Sequence, residues 1–359
     1  MSATKDHATG AASEDSEPLE IPNRGPWGHV WTHLRQDRVA FLSGCVFAAI
    51  VFLCFLGAPL LAWLLGHGPN DPFPYAVNDE LRPIGPLSSV PDVNEFVDID
   101  ESTPRTFLLF GADGSLGRDL FLRVLYGGQT SLQVGLGATA LAMLIGVPIG
   151  MLSGFLGGWP DRGISWVTEL FMGFPLLLFL VAIGYTVAPR FNDVTLGGAF
   201  QPGVLVLVFL IGIFSWFYPA RIIRAQVLAL RETEFLEAAR MIGASDWRIL
   251  RTHVLPHVLA PVIVWSTLIT AGFIVFESAI SILNVGLELP TASWGSLLAA
   301  NWGTLLVFDP LATDQQAGFY VDESNWVLFF PSAALFLTIV SLALFGEGLR
   351  RAVDPKGIE

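Results

Sequence analysis

The chain has 359 residues, of which 53% are hydrophobic and 14% charged, against a charged share of roughly 25% in an ordinary soluble protein. Its formal net charge of −13 argues against a nucleic-acid partner. Six apolar stretches long enough to cross a bilayer exclude a water-soluble fold and leave an all-α, polytopic membrane protein.

In chain order, residues 1–26 are polar and rich in Ser, Glu, Ala and Thr, which predicts a disordered tail. The first 38 residues are too long and too acidic for the start of a cleaved signal, so the first span is expected to be an uncleaved anchor. Trp27 and Trp31, four apart and followed by Arg35 and Arg38, predict a short interfacial helix. It leads into the first span, Val39–Leu65, and residues 27–66 form one unit. Cys45 and Cys54 match no metal or disulfide spacing and read as small packing residues.

Residues 67–129 form a loop with a short amphipathic helix expected over 116–126. Asp113 or Ser115 would cap it, Leu120 and Val124 would give its apolar stripe, and Arg118, Asp119 and Arg123 would face water. Such a helix would lie flat at the mouth of a pathway; a brace on the membrane surface explains the pattern equally well. Gly117, Arg118, Asp119 and Arg123 are the candidate outer-gate residues.

Residues 130–355 carry the remaining spans: Thr130–Gly158, Leu170–Ala188, Gly203–Ala220, Val258–Phe276 and Ser324–Gly346. None of the six spans contains Asp, Glu, Lys or Arg. Gly135, Gly137, Gly146, Gly150 and Gly154 suit close helix approach in the second span. Phe174 and Pro175 are expected to kink the third. A tail of 356–359 closes the chain.

Basic residues set the orientation. With the N-terminus cytoplasmic, the inner segments hold 14 of the 19 Lys and Arg, and the outer loops hold only Arg82, Arg105, Arg118, Arg123 and Arg190. Both termini are therefore expected to be cytoplasmic.

Several kinds of chemistry have no sequence support. The two lysines, Lys5 and Lys356, lie in no phosphate-binding loop, so the chain has no route of that kind to ATP hydrolysis. His253 and His257 share a helical spacing, but no further ligand accompanies them and no metal site is expected. Glu169 and Glu277, each at the edge of a span, are the candidates for a charge that acts in the membrane. Each is either a functional intramembrane charge or a carboxylate satisfied by loop backbone. Glu277 would lie about 28 Å along the fifth span from Val258, near the outer interface.

Between the fourth and fifth spans lies a charged segment, 221–257. Leu228 to Met241 are mostly strong helix formers, with acidic residues ahead of Arg240. Gly243 would end this helix in a left-handed turn, and Ser245 or Asp246 would cap a second one. Pro256 would end that second helix or bend it into the fifth span. The product is a helix–turn–helix protruding into the cytoplasm.

Glu237-Ala238-Ala239, then Gly243, then Leu255-Pro256 resembles the signature loop of permease subunits of ATP-binding-cassette importers. The wider match is to the dipeptide, oligopeptide and nickel branch, and to its second permease subunit. It rests on Gly111–Leu132, GFP at 173–175, GASDWRI at 243–249, HVLP at 253–256, ESAISIL at 277–283, PTASWG at 290–295 and GEGLRRAVDP at 346–355. The resemblance covers roughly 27–355 and implies a type I importer permease fold of six transmembrane helices. It also implies a heterodimer with a second homologous permease, two ATP-binding subunits that hold ATP and Mg, and an external binding protein. No cofactor is implied in this chain. The loop residues Glu237, Ala238, Ala239, Gly243, Ala244, Ser245, Asp246, Leu255 and Pro256 would seat in the ATPase. Gly117, Arg118, Asp119 and Arg123 would gate the outer mouth or touch the binding protein, and Phe174, Pro175, Glu277 and Ser278 would line the pathway. The expected solute is a peptide or similar small molecule, with nickel or another non-peptide solute as the alternative. A stand-alone secondary transporter or channel is the competing class, and a membrane anchor for a soluble complex is a third.

Overall fold

A computed structural model describes residues 26–78, 82–93, 95, 98–100, 102–191, 193–283, 285–287, 290–301, 307–308, 319–320 and 325–353. The tails expected at 1–26 and 356–359 thus lie outside the described residues, Pro26 excepted.

Helix α1 (Pro26–Gln36) stops at Asp37, whose carboxylate accepts from the amides of Val39 and Ala40 and starts α2 (Arg38–Phe52). A π-helical turn over Leu53–Gly57 carries α2 into α3 (Ala58–Leu65), and Gly66 closes the span in a left-handed cap. Helix continuity across an all-apolar run is what a bilayer demands, because no water is there to satisfy a broken backbone.

The following loop carries strands as well as a short 3-10 turn at Pro74–Ala76, so the fold is not all-α throughout. Strands β1 (Ser88–Pro91) and β2 (Arg105–Leu108) pair antiparallel, with Ser88 opposite Leu108. β3 (Ala112–Asp113) and β4 (Arg118–Asp119) form a second hairpin. Phe73, Ala76, Val90, Leu108 and Ala112 give this region its own small core.

The second span starts earlier than expected, at Leu120. Helix α4 (Leu120–Leu156) runs for 37 residues and is the central element, packing on α7, α8 and α11. Its glycines explain why: a Cβ on Gly146, Gly150 or Gly154 would lie 2.5, 2.4 or 2.8 Å from the carbonyl oxygen of Trp216, Ala220 or Arg224. One face of α4 is stripped of side chains so that the α8 backbone can lie against it.

The third and fourth spans are each broken. Helices α5 (Gly158–Met172) and α6 (Leu176–Phe191) meet at 80° across Gly173-Phe174-Pro175, and α7 (Val204–Ile213) and α8 (Phe217–Arg231) meet at 42°. Among the described residues four helices are long and apolar enough to cross a membrane, or up to six spans if each bent pair crosses as one.

Helices α9 (Glu234–Met241) and α10 (Asp246–Ile249) precede α11 (Leu255–Ile282), with a π-helical turn over Leu250–Val254 joining the last two. A short α12 (Trp294–Asn301), the strand pair β5 (Val307–Phe308) and β6 (Phe319–Tyr320), and α13 (Trp326–Val353) complete the order. The end of α13 returns to the start of α2. Arg351 lies 3.2 Å from the Asp37 carboxylate, and Gly348 leaves room for Ala40.

Candidate functional site

The protruding segment is built from residues whose local preferences agree. Thr233, with extended backbone, breaks the chain between α8 and α9, so the single helix expected over 228–241 is two. Leu236 and Ala239 are buried against Met151, Phe155, Ile223, Val227, Val254 and Val258. The Arg240 guanidinium sits 5.3 Å from the centre of the Phe155 ring, a cation–π contact that ties α9 to the end of α4.

The turn after α9 has a definite form. The Gly243 amide donates to the Arg240 carbonyl at 2.9 Å and the Ala244 amide to the Ala239 carbonyl at 3.1 Å, the paired bonds of a Schellman motif. Gly243 has φ 84°, a left-handed conformation that costs other residues energy. Ser245 follows with extended backbone but caps α10 without a side-chain hydrogen bond.

Pro256 does not end the helix: it lies just after the π-helical turn over Leu250–Val254, within a helix that runs on from Asp246 to Ile282. Glu237, Ala238, Gly243, Ser245, Asp246 and Pro256 are exposed, Ala239 is buried, and Ala244 and Leu255 lie between. The tip is apolar as well as charged: Met241, Ile242 and Trp247 are 83%, 87% and 70% exposed. His253 and His257 flank the Phe235 ring instead of a metal ligand set.

At the other end of α4 the expected surface helix is absent. Gly114 and Gly117, both at φ 64°, turn the β3–β4 hairpin, which leaves no helical backbone before Leu120. A side chain at Gly117 would meet the Phe73 carbonyl oxygen at 2.3 Å. Arg118, Asp119 and Arg123 are not in water but 9%, 1% and 2% exposed. Asp113, expected only as a cap, is their centre. Its carboxylate lies 2.6 Å from Arg123 Nε and 3.3 Å from Arg118 Nη2, and accepts from Asn301 Nδ2 at 2.9 Å. Arg123 also donates to Asn70 Oδ1 at 2.7 Å.

Asp119 is the true cap, accepting from the amides of Phe121 and Leu122 with one oxygen. Its other oxygen lies 3.0 Å from His67 Nε2, while His67 Nδ1 lies 3.3 Å from the Leu65 carbonyl. Both ring nitrogens face acceptors, an arrangement that only the protonated imidazole satisfies. Burial lowers the His67 pKa, but the hydrogen bond and charge of Asp119, the Leu65 carbonyl and the charge of Asp92 together raise it above its ordinary value.

Glu277 is fully buried and accepts from side chains, not from loop backbone. Ser131 and Ser281 each donate at 2.8 Å, and Ser278, on the adjacent position, lies 3.4 Å away. Ser131 in turn accepts from the Trp294 amide at 3.2 Å, so the carboxylate joins α4, α11 and α12. Phe174 and Pro175 sit elsewhere, at the α5–α6 break, with Phe174 edge-on to Phe179.

His67, Asn70, Asn301 and Ser131 carry no local sequence signal. Asp119 did: an Asp directly before a long apolar helix is a start signal.

These elements define a polytopic helical membrane protein with a charged helix–turn–helix between two apolar segments. The model of the inner membrane component of binding-protein-dependent transport systems matches residues 146–357, and that of the N-terminal transmembrane domain of oligopeptide transport permease C matches 25–83. An oligopeptide transport system permease protein of Haemophilus influenzae is 34% identical over 340 residues, covering 95% of this chain and 92% of that protein. Its namesake in Escherichia coli (strain K12) is 33% identical over 341 residues, covering 95% of each. A glutathione transport system permease protein of Pectobacterium atrosepticum is 29% identical over 333 residues, covering 93% of this chain and 92% of that protein. The chain belongs to the family of binding-protein-dependent transport system inner membrane components, the permease subunits of ATP-binding-cassette importers.

Proposed function

We propose that this chain moves peptides or similar small solutes inward as one of two homologous permeases. An external binding protein delivers the solute, and two separate ATPase subunits drive the transport. Each bent helix pair counts as one crossing, giving six spans with both termini cytoplasmic. The Arg351–Asp37 contact supports termini on one side, and the basic residues support that side being inside. The substrate class is supported by the names of the relatives. The chain supplies no ATPase chemistry of its own.

The observation that carries this reading is the protrusion at 233–254. Its fold is fixed by Leu236, Ala239 and the Gly243 turn, yet it leaves Met241, Ile242 and Trp247 uncovered beside Glu237. Exposed apolar side chains on a rigid support mark a protein interface, and the ATPase is the partner this family requires. A stand-alone transporter has no use for such a surface.

Affinity purification from membranes provides the test. The expected result is capture of an ATPase and a second permease, with peptide uptake in vesicles that depends on ATP and on added binding protein. Uptake by this chain alone would overturn the reading.

A further inference from the structure

The inner ends of α4, α5 and α8 surround a polar cavity of about 210 Å3 that none of the roles above uses. Ser153 and Thr168 form its buried floor, at 0% and 7% exposure. One wall is a closed ion pair. The Arg224 guanidinium forks onto Asp161, Nε to Oδ1 at 2.5 Å and Nη2 to Oδ2 at 2.7 Å, and Ser153 donates to the same carboxylate at 2.6 Å. Fork geometry of this kind is strong and rigid.

Two charges at the cavity are left over. Arg221 stands one turn before Arg224 on α8, and its recorded donor contact is the Met172 thioether at 3.5 Å, a weak acceptor. Glu169, on α5, acts electrostatically on Arg224, which Asp161 already engages. Neither Arg221 nor Glu169 has an ion-pair partner among the described residues. Both are exposed, so the cation and the carboxylate stand at the open rim above a hydroxyl-lined floor.

A ligand matching this lining must carry both signs. A carboxylate suits the planar donor fork of an arginine, and an ammonium suits Glu169. The volume lies below the roughly 300–1,000 Å3 of pockets for drug-sized molecules, which fits an amino acid or the end of a short peptide. We propose that this cavity binds a zwitterionic ligand, with its carboxylate on Arg221 and its ammonium on Glu169. The site's position on the inner face and its relation to the transported solute rest on the function proposed above. Because α8 ends at Arg231, just ahead of the Thr233 break and α9, the ligand would sit on the helix that leads up to the protrusion.

The test is equilibrium calorimetry on the purified permease–ATPase complex in lipid nanodiscs, without binding protein. The probes are alanine, dialanine, dialanine amide and N-acetyl-dialanine. Dialanine is expected to bind, and blocking either end should weaken binding roughly ten- to hundred-fold, the weight of a charged hydrogen bond. Arg221→Gln should erase the preference for dialanine over its amide while keeping the preference over the acetylated form. Glu169→Gln should do the reverse, and Arg221→Lys should restore part of the carboxylate preference. Alanine binding as well as dialanine assigns the site to free amino acids too; dialanine alone assigns it to peptides. The proposal fails if no zwitterion binds at millimolar concentration, if both variants keep both preferences, or if they lose all probes alike with no recovery in Arg221→Lys. Peptide uptake without this binding would sink the cavity alone, and binding without peptide uptake would sink only the substrate assignment.

Discussion

At the scale of single residues, the Leu120 end of α4 concentrates charge away from water. Asp113 faces two guanidinium groups that are nearly inaccessible. Removing one member of a buried charge network costs about 3–5 kcal/mol, because the partners are left without compensation. Asp113→Asn is therefore expected to lower the thermal unfolding midpoint of the purified protein far more than Glu347→Gln, which loses an exposed ion pair with Arg350 worth about 0–1 kcal/mol. Equal shifts would show that the two arginines find water instead. His67 gives a pH dependence whose sign is fixed. Its folded pKa is raised, so its contribution is fully present below about 6.5, the unfolded value, and is lost as pH rises through the folded pKa. The difference in midpoint between wild type and His67→Gln should be largest in acid and shrink as the solution becomes alkaline. A difference independent of pH would mean that the imidazole acts only by packing.

At the scale of elements, the protrusion depends on one backbone conformation. A Cβ at Gly243 meets nothing within 4 Å, so Gly243→Val tests the turn and not the packing. The left-handed penalty is about 1–2 kcal/mol, small beside the burial of Leu236, Ala239, Ile249 and Leu250 beneath the turn. On the proposed function, membrane insertion and pairing with a second permease should survive, while ATPase capture and uptake should fall by at least ten-fold. Glu237→Ala, which leaves the backbone alone, should weaken capture without altering the fold. Normal uptake by Gly243→Val would make the loop a passive connector.

For the whole molecule, the closing contact between Arg351 and Asp37 places the end of α13 beside the start of α2. With the basic residues inside, single cysteines at Ser89 and Gln315 should react with an impermeant reagent from outside, and one at Ser245 only from within. Labelling of Ser245 from outside would invert the orientation. The bent pairs α5–α6 and α7–α8 also matter at this scale, because only as single crossings do they give six spans.

How much of this was legible in the sequence follows from the range of each interaction. Apolar runs, the Pro175 break, the Gly243 turn and the glycine face of α4 are local or compositional. A bilayer reads hydrophobicity over about 20 consecutive residues, and a left-handed turn reads one side chain. The networks of buried polar groups are different. Asp113 meets Asn301 across 188 positions, Ser131 meets Glu277 across 146, and Asp119 meets His67 across 52. No periodicity encodes such pairs. Local sequence leaves Arg118, Asp119 and Arg123 in water, because charged residues are rarely buried unless paired and the partners come from distant parts of the chain. The Gly114–Gly117 hairpin further replaced the expected surface helix. The chain by itself determined that it crosses a membrane and carries a protruding charged turn. Tertiary structure decided which charges leave water, since desolvation is tolerated only where folding supplies the opposite charge or the hydrogen bonds.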